Sequence, residues 1–167
     1  DKSIAVFESP RDVKGVAILS YAHKVKSDDQ WLYLPALKRV KRIASKNKSG
    51  PFLGSEFSFE DFSFQEVEKY EYSFTGEEAC KDSMCFVIER RPLDLYSGYT
   101  KQLVWIDKEN YLVQKIYHYD RKSFHLKTQT FEDYRLYQDF FWQPQKIKMI
   151  NHQNGKSSIL LFEDVRL

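Results

Sequence analysis

Apolar side chains in an otherwise polar segment could form a binding surface for an apolar molecule. The segment from Pro51 to Gln65 is rich in Ser, Gly and Glu, and its apolar residues are Phe52, Leu53, Phe57, Phe59, Phe62 and Phe64. Small-ligand pockets are usually lined by such side chains, and an exposed patch of this size would promote association. Two interpretations stay open: a loop anchored to the core, or a lid or lining for an apolar pocket.

A dense basic run precedes this segment and could bind an acidic partner or anionic lipid headgroups. Six cations fall within eleven residues, namely Lys38, Arg39, Lys41, Arg42, Lys46 and Lys48. We take the first four as the candidate docking residues. The alternative is a solvated strand face, neutralised by the nine acids that follow: Glu56, Glu60, Asp61, Glu66, Glu68, Glu71, Glu77, Glu78 and Asp82.

The sequence does not favour nucleic-acid binding, a metal site or enzyme activity. A net charge of +2 and the lack of nucleic-acid-binding motifs exclude nucleic acid as the expected partner. A two-residue turn at Arg121–Lys122 would make His118 and His125 cross-strand neighbours. We interpret them as a surface pair because no third metal ligand is assigned. No nucleophile-elbow, zinc-protease, phosphate-loop or dinucleotide motif is present. We therefore predict no enzyme activity, no metal site and no cofactor.

Cys80 and Cys85 are separated by four residues between two strand-like runs. A short hairpin would place their Cα atoms about 5.5 Å apart, within disulfide reach. A C-x₄-C pair is not a zinc signature by itself, because a structural zinc site needs four ligands. The spacing alone leaves both a disulfide and two free thiols open.

Extended strands must position most of these residues. Aromatic residues make up 16% of the chain and there are only six glycines, a composition that favours strands over helices. Period-two runs separated by turns predict an antiparallel meander from Tyr70 to Val165, with no helix longer than about two turns. Asn154–Gly155 predicts a two-residue type I′ hairpin. The length is that of one domain.

Several motifs occur in the order typical of one known family. They are Ser9–Gly15, Trp31–Leu37 followed by Arg39–Ile43, Ser97–Gly98–Tyr99, Val104–Lys108 and Asn151–Gly155. With these motifs the chain resembles the periplasmic outer-membrane lipoprotein-sorting family, the lipoprotein carriers with a LolA/LolB-like fold. The resemblance runs from about Ser9 to the end of the chain.

The resemblance implies a mainly β (α+β) fold. We expect a strongly curved antiparallel sheet, an incomplete barrel of LolA/LolB type, with short helical turns and loops against its concave side. Residues 1–167 would be one LolA-like β domain that lacks N-terminal elements of the full-length protein. The ligand-binding cavity or lid would comprise Leu32, Phe52, Leu53, Phe57, Phe59, Phe62, Tyr72 and Phe74.

The implied function is a periplasmic carrier that binds lipid, acyl chains or lipoprotein in an apolar cavity for transport toward the outer membrane. The alternative is a periplasmic lipid sensor or adaptor that partners an inner-membrane exporter. Membrane contact would be peripheral rather than integral, since no run of 18 apolar residues is present. An oxidising periplasm favours the Cys80–Cys85 disulfide.

Overall fold

Antiparallel β-sheet forms nearly all of the regular structure in the computed structural model, which describes residues 1–81 and 83–167. The chain divides into two compact units. Unit 1 comprises Asp1–Tyr70 and Pro92–Gly98, and unit 2 comprises Glu71–Arg91 and Tyr99–Leu167. Asp82, the last of the acidic residues singled out above, lies outside the described residues. That residues 1–167 act as one domain stays a prediction.

Unit 1 contains a four-stranded sheet in the order β1-β2-β3-β4. Its strands are β1 (Lys2–Val6), β2 (Ala17–Tyr21), β3 (Asp29–Leu34) and β4 (Arg39–Ile43). Alternation sends one face inward, where Ile18 lies opposite Leu32 and Ser20 lies opposite Gln30, all four being buried. Four short 3₁₀ helices connect the strands and follow them: Pro35–Leu37, Ser45–Asn47, Phe59–Phe62 and Val67–Lys69.

A seven-stranded sheet forms the framework of unit 2, in the sequential order of a meander. Its strands are β5 (Tyr70–Cys80), β6 (Ser83–Pro92), β7 (Lys101–Asp107), β8 (Val113–Tyr119), β9 (His125–Tyr137), β10 (Phe141–Asn151) and β11 (Ser157–Leu161). Cys85, Val87 and Trp105 form its buried cluster. The predicted mainly β, antiparallel class is confirmed, and the strand orders show two open sheets.

Two predicted turns are wrong. The loop between β8 and β9 is one residue longer than expected, because Ser123 adopts a left-handed backbone (φ 64°) and the Asp120 N–H donates to the Phe124 carbonyl. His125 therefore pairs with Tyr119. A bulge then places His118 opposite Lys127, so the two histidines are not cross-strand neighbours.

The hairpin between β10 and β11 also has a longer loop than predicted. Asn151 pairs with Lys156 through a bond from the Asn151 N–H to the Lys156 carbonyl, which leaves four residues in the loop instead of two. The Asn151 side-chain oxygen accepts from the N–H groups of Gln153 and Asn154. This Asx-type bonding stabilises the longer loop, and of the predicted turn pair only Gly155 has a positive φ.

The Cys80–Cys85 disulfide is present, with a Cα–Cα separation of 5.8 Å. It links the ends of β5 and β6, and Cys85 is fully buried. Since the bond closes a short loop, its contribution through the unfolded state is small, about 2 kcal/mol.

We predict that the Cys80→Ser/Cys85→Ser double variant folds but loses about 2 kcal/mol of unfolding free energy. Urea unfolding of both proteins measures the loss. Wild-type protein should show no reactive thiol in denaturant without reductant, and two after reduction. Thiols that react before reduction would contradict the disulfide.

Candidate functional site

Five phenylalanine rings contact one another in unit 1. Phe62 lies 4.6 Å from Phe52 and 5.9 Å from Phe57 between ring centroids. Phe52 in turn contacts Phe7 at 5.0 Å and Phe59 at 5.4 Å. We call these five residues the phenylalanine cluster. Tilted and edge-on aromatic pairs at such distances stabilise beyond simple burial.

A compact loop brings the cluster residues together. The Phe52 N–H donates to the Phe57 carbonyl at 2.8 Å, and Pro51 bridges to Ser58. Left-handed backbones at Leu53 (φ 49°) and Gly54 (φ 73°) reverse the chain between them. The next turn begins at Ser58, whose N–H and hydroxyl both bond the Asp61 carboxylate.

Burial divides the predicted cavity residues of unit 1 into two groups. Phe52 and Phe57 are only 3% and 2% exposed, and Leu32 lies on the buried sheet face at 6%. Such residues anchor the segment to the core. Leu53, Phe59 and Phe62 are half-buried, so part of each side chain is accessible to a bound apolar group. That any of them binds a ligand stays a prediction.

The predicted residues of unit 2 lie on β5 and are exposed. Tyr72 is 46% and Phe74 is 67% accessible, and Phe74 contacts the Phe86 ring on β6 at 6.4 Å. Strand β5 is at the edge of its sheet. Tyr72 and Phe74, two residues apart, share one face of this edge strand.

A buried carboxylate that sequence reasoning missed joins two segments of unit 1. Glu60 accepts hydrogen bonds from the Ser97 hydroxyl at 2.7 Å and from the Gly98 N–H at 2.8 Å. Burial raises the pKa of Glu60, although these hydrogen bonds oppose the rise. A Cβ atom at Gly98 would lie 2.9 Å from the Glu60 Oε1 atom and from the Ser49 Cβ atom. The Ser97–Gly98 pair, noticed above only as a motif, therefore holds this carboxylate.

Four of the six cations of the basic run, the candidate docking residues, lie on β4 and the residue before it. Lys38 has a left-handed backbone (φ 47°), and Lys38, Arg39, Lys41 and Arg42 are all exposed. Arg42 forms an ion pair with Asp29. Within residues 1–81 and 83–167, no ion pair joins the other three cations to an acidic side chain. The eight described acids of the acidic stretch therefore do not neutralise these three residues through ion pairs.

A polar pocket of about 420 Å³ also lies within unit 1. Hydrogen bonds from Arg42 and His23 lower the pKa of Asp29 to about 2. Burial opposes ionisation of Asp94, but the hydrogen bonds from Lys48 and Ser27 outweigh it and lower its pKa. The lining residues are Lys26, Ser27, Asp29, Arg42, Ser45, Asp94, Leu95 and Tyr96. The pocket suits a polar group, and no local motif indicates it because its residues come from distant parts of the chain.

His118 is buried in unit 2, which corrects its interpretation as a surface residue. Its ring nitrogens bond the side chains of Gln102 at 2.8 Å and Gln129 at 3.0 Å, and its ring packs on Tyr99 at 4.5 Å. The histidine that does pair with another is His125, whose ring lies 4.5 Å from His152. Across the described part of the chain, no group of three metal-ligating side chains comes together.

Comparison with known proteins decides the family. A family model described as "Uncharacterized protein"-like matches residues 1–167. An outer membrane lipoprotein-sorting protein domain from Vibrio parahaemolyticus is 48% identical, with a TM-score of 0.88 over 99% of this chain and 73% of that one. The chain belongs to this outer-membrane lipoprotein-sorting family. No curated protein matches it.

Two further structures share the fold of this lipoprotein-sorting chain. A DUF1329 family protein from Desulfovibrio piger ATCC 29098 is 27% identical, with a TM-score of 0.84 over 99% of this chain and 72% of that one. A LolA superfamily protein from Nitrosomonas europaea is 23% identical, with a TM-score of 0.73 over 98% of this chain and 71% of that one. The predicted lipoprotein-sorting family and the LolA-like fold are confirmed. In the described residues, no helix has the length and hydrophobicity to cross a bilayer.

We predict that Phe57→Ala destabilises the protein by about 3–5 kcal/mol, because the side chain is fully buried in the phenylalanine cluster. Phe124→Ala is the matched control: Phe124 is 65% exposed, so its loss should stay within about 0.5 kcal/mol. Urea unfolding with an unchanged slope measures both. A loss below about 1 kcal/mol for Phe57→Ala would show that the ring does not anchor the segment.

The raised pKa of Glu60 predicts a pH-dependent stability. The folded protein retains the Glu60 proton to a higher pH than the unfolded chain, in which the pKa of this side chain is near 4.5. The contribution of this carboxyl to stability is therefore full below that value and declines as pH rises through the folded pKa. Relative to Glu60→Gln, the wild-type unfolding free energy should fall as pH rises above 4.5. A difference that is constant over this range would contradict the shift.

Proposed function

We propose that this protein is a periplasmic carrier that binds acyl chains of a lipid or lipoprotein non-covalently for transport toward the outer membrane. The observation that carries the proposal is membership of the outer-membrane lipoprotein-sorting family, at 48% identity over nearly the whole chain. The Cys80–Cys85 disulfide supports an oxidising compartment. The proposed activity requires no catalytic step and no cofactor.

Each unit offers apolar side chains that an acyl chain could contact. In unit 2 these are the exposed Tyr72 and Phe74, and in unit 1 they are the half-buried Leu53, Phe59 and Phe62. Removing apolar surface from water contributes about 25 cal/mol per Å², so six buried methylenes would contribute about 5 kcal/mol before the cost of ordering. Such a contact discriminates weakly between chains of similar length.

Three exposed cations of the basic run give the carrier a means of docking. Lys38, Arg39 and Lys41 are exposed, and each basic side chain near an anionic membrane contributes about 1 kcal/mol. The same surface could receive an acidic face of an inner-membrane transporter. We propose headgroup docking first, because it needs only charge and no shaped complementary surface.

Native mass spectrometry of protein purified from the periplasm tests the carrier function. We expect a fraction of the protein to carry a co-purifying species with the mass of a lipid or an acylated peptide. Protein that is free of ligand, and that also fails to bind a fluorescent fatty acid in vitro, would contradict the proposal. A stable complex with an exporter, formed only by the lipid-bound protein, would instead favour the sensor or adaptor role.

We predict that Phe74→Ser weakens binding of a fluorescent acyl probe by about tenfold, since it removes an exposed aromatic contact of about 1.4 kcal/mol. Folding should be unaffected because the side chain is 67% exposed. Phe124→Ser, at 65% exposure in the same unit, is the control and should bind the probe as wild type does. Equal affinities for all three proteins would remove Phe74 from the site.

A further inference from the structure

Strands β9 and β10 extend beyond both of their neighbours in the seven-stranded sheet. The pairing of β8 with β9 ends at Lys115 opposite Thr130, and the pairing of β10 with β11 ends at Lys146 opposite Leu161. One further backbone bond runs from the Phe162 N–H to the Gln145 carbonyl at 2.8 Å. Beyond the β8 pairing, the Tyr134 hydroxyl donates a hydrogen bond to the Val113 carbonyl at 2.7 Å. Residues 135–143 therefore form a two-stranded ribbon that projects by roughly 10 Å, at about 3.3 Å per residue.

The tip of this ribbon is apolar on both faces. Register places Trp142 opposite Leu136 on one face and Phe141 opposite Tyr137 on the other, with Phe140 in the turn between them. Phe140 is 72% exposed, Leu136 and Trp142 are each 43% exposed, and Phe141 is 37% exposed. A flat protein surface would cover only one face of the ribbon. The interfacial region of a bilayer surrounds an inserted tip and would cover both.

The size and charge of the tip also favour a bilayer over a protein partner. At about 200 Å² for a full aromatic side chain, these exposed fractions amount to roughly 400 Å². A standard protein–protein interface buries about 800 Å² on each partner. The charged residues of the ribbon are Arg135 and Asp139, which leave it with no net charge. A neutral aromatic tip matches a zwitterionic bilayer interface, where Trp, Tyr and Phe are accommodated at headgroup depth.

We propose that the tip formed by Leu136, Tyr137, Phe140, Phe141 and Trp142 inserts into the interfacial region of a bilayer. Gln138 and Asp139, which turn the chain with φ of 49° and 61°, lie beside Phe140 and keep the insertion shallow, because their polar side chains must stay hydrated. The tip is distinct from the basic run of β4, which would respond to anionic lipid. This proposal goes beyond acyl-chain binding and does not depend on it.

Flotation with vesicles of pure phosphatidylcholine tests the proposal, because these vesicles carry no net charge for the basic run to recognise. Wild-type protein should float with them, and Phe140→Ser should reduce its partition coefficient by about tenfold. Phe124→Ser is the matched control and should float as wild type does, since Phe124 lies at the opposite end of β9. Tryptophan emission of wild type should shift to the blue with vesicles. Trp142→Phe should still float but lose that shift.

Several outcomes would overturn the proposal. They are no flotation of wild-type protein, equal loss in the Phe140→Ser and Phe124→Ser variants, or a blue shift that persists in Trp142→Phe. Sedimentation velocity without vesicles tests whether the tip is a dimer interface. A wild-type dimer that the Phe140→Ser substitution dissociates would assign the tip to contact with a second copy of the chain. Affinity for the acyl probe, measured without vesicles, should be the same for Phe140→Ser and wild type. A loss of probe affinity in Phe140→Ser would instead assign the tip to the acyl-binding site and overturn the proposal.

Discussion

The buried carboxylate of Glu60 joins the two chain segments from which unit 1 is built. Residues Pro92–Gly98 return to this unit from the end of β6. The path of this seven-residue segment depends on its side-chain partners. Ser97 and Gly98 both donate to Glu60, while Asp94 accepts from Lys48 at 2.8 Å. Hydrogen bonds to charged groups contribute about 1.5–3 kcal/mol each. They offset the cost of burying these carboxylates and select one path for the returning segment.

That path has consequences for the phenylalanine cluster. Glu60 lies within the 3₁₀ helix Phe59–Phe62, whose two end residues are cluster members. Fixing the carboxylate therefore fixes the helix, and the helix directs Phe62 toward Phe52 and Phe57. Gln30 adds a bond from its side-chain amide to the Phe59 carbonyl at 2.9 Å, which ties the same helix to β3. The polar network of Glu60 and Gln30 thus positions the phenylalanine cluster, in which Phe59 and Phe62 stay half-buried.

Sequence patterns predicted the strands well because period-two alternation reflects a physical requirement of a half-buried sheet. They predicted turns poorly. Asn154–Gly155 favours a two-residue turn, yet the Asn151 side chain bonds the following N–H groups and stabilises a four-residue loop. Conversely, the turn between β9 and β10 places Gln138 and Asp139 in a left-handed backbone. Because neither residue is a glycine, the sequence contains no turn motif at this tip. The sequence predicts the aromatic segment as a unit. Which of its rings are buried depends on the contact of Phe52 with Phe7 and on the hydrogen bonds of Glu60 to Ser97 and Gly98, which no local pattern contains.

Exposed aromatic side chains on a sheet edge would normally invite aggregation, and the charge pattern of the edge strands opposes it. Strand β5 presents Tyr72 and Phe74, but Glu71, Glu77 and Glu78 lie on the same strand. Strand β4, at the edge of the other sheet, carries Arg39, Lys41 and Arg42 within five residues. Charges on edge strands disfavour pairing with another chain's strand while leaving single side chains accessible. The basic run therefore has a structural role whether or not it docks, and the same exposure that protects the edge leaves Lys38, Arg39 and Lys41 available to an anionic surface.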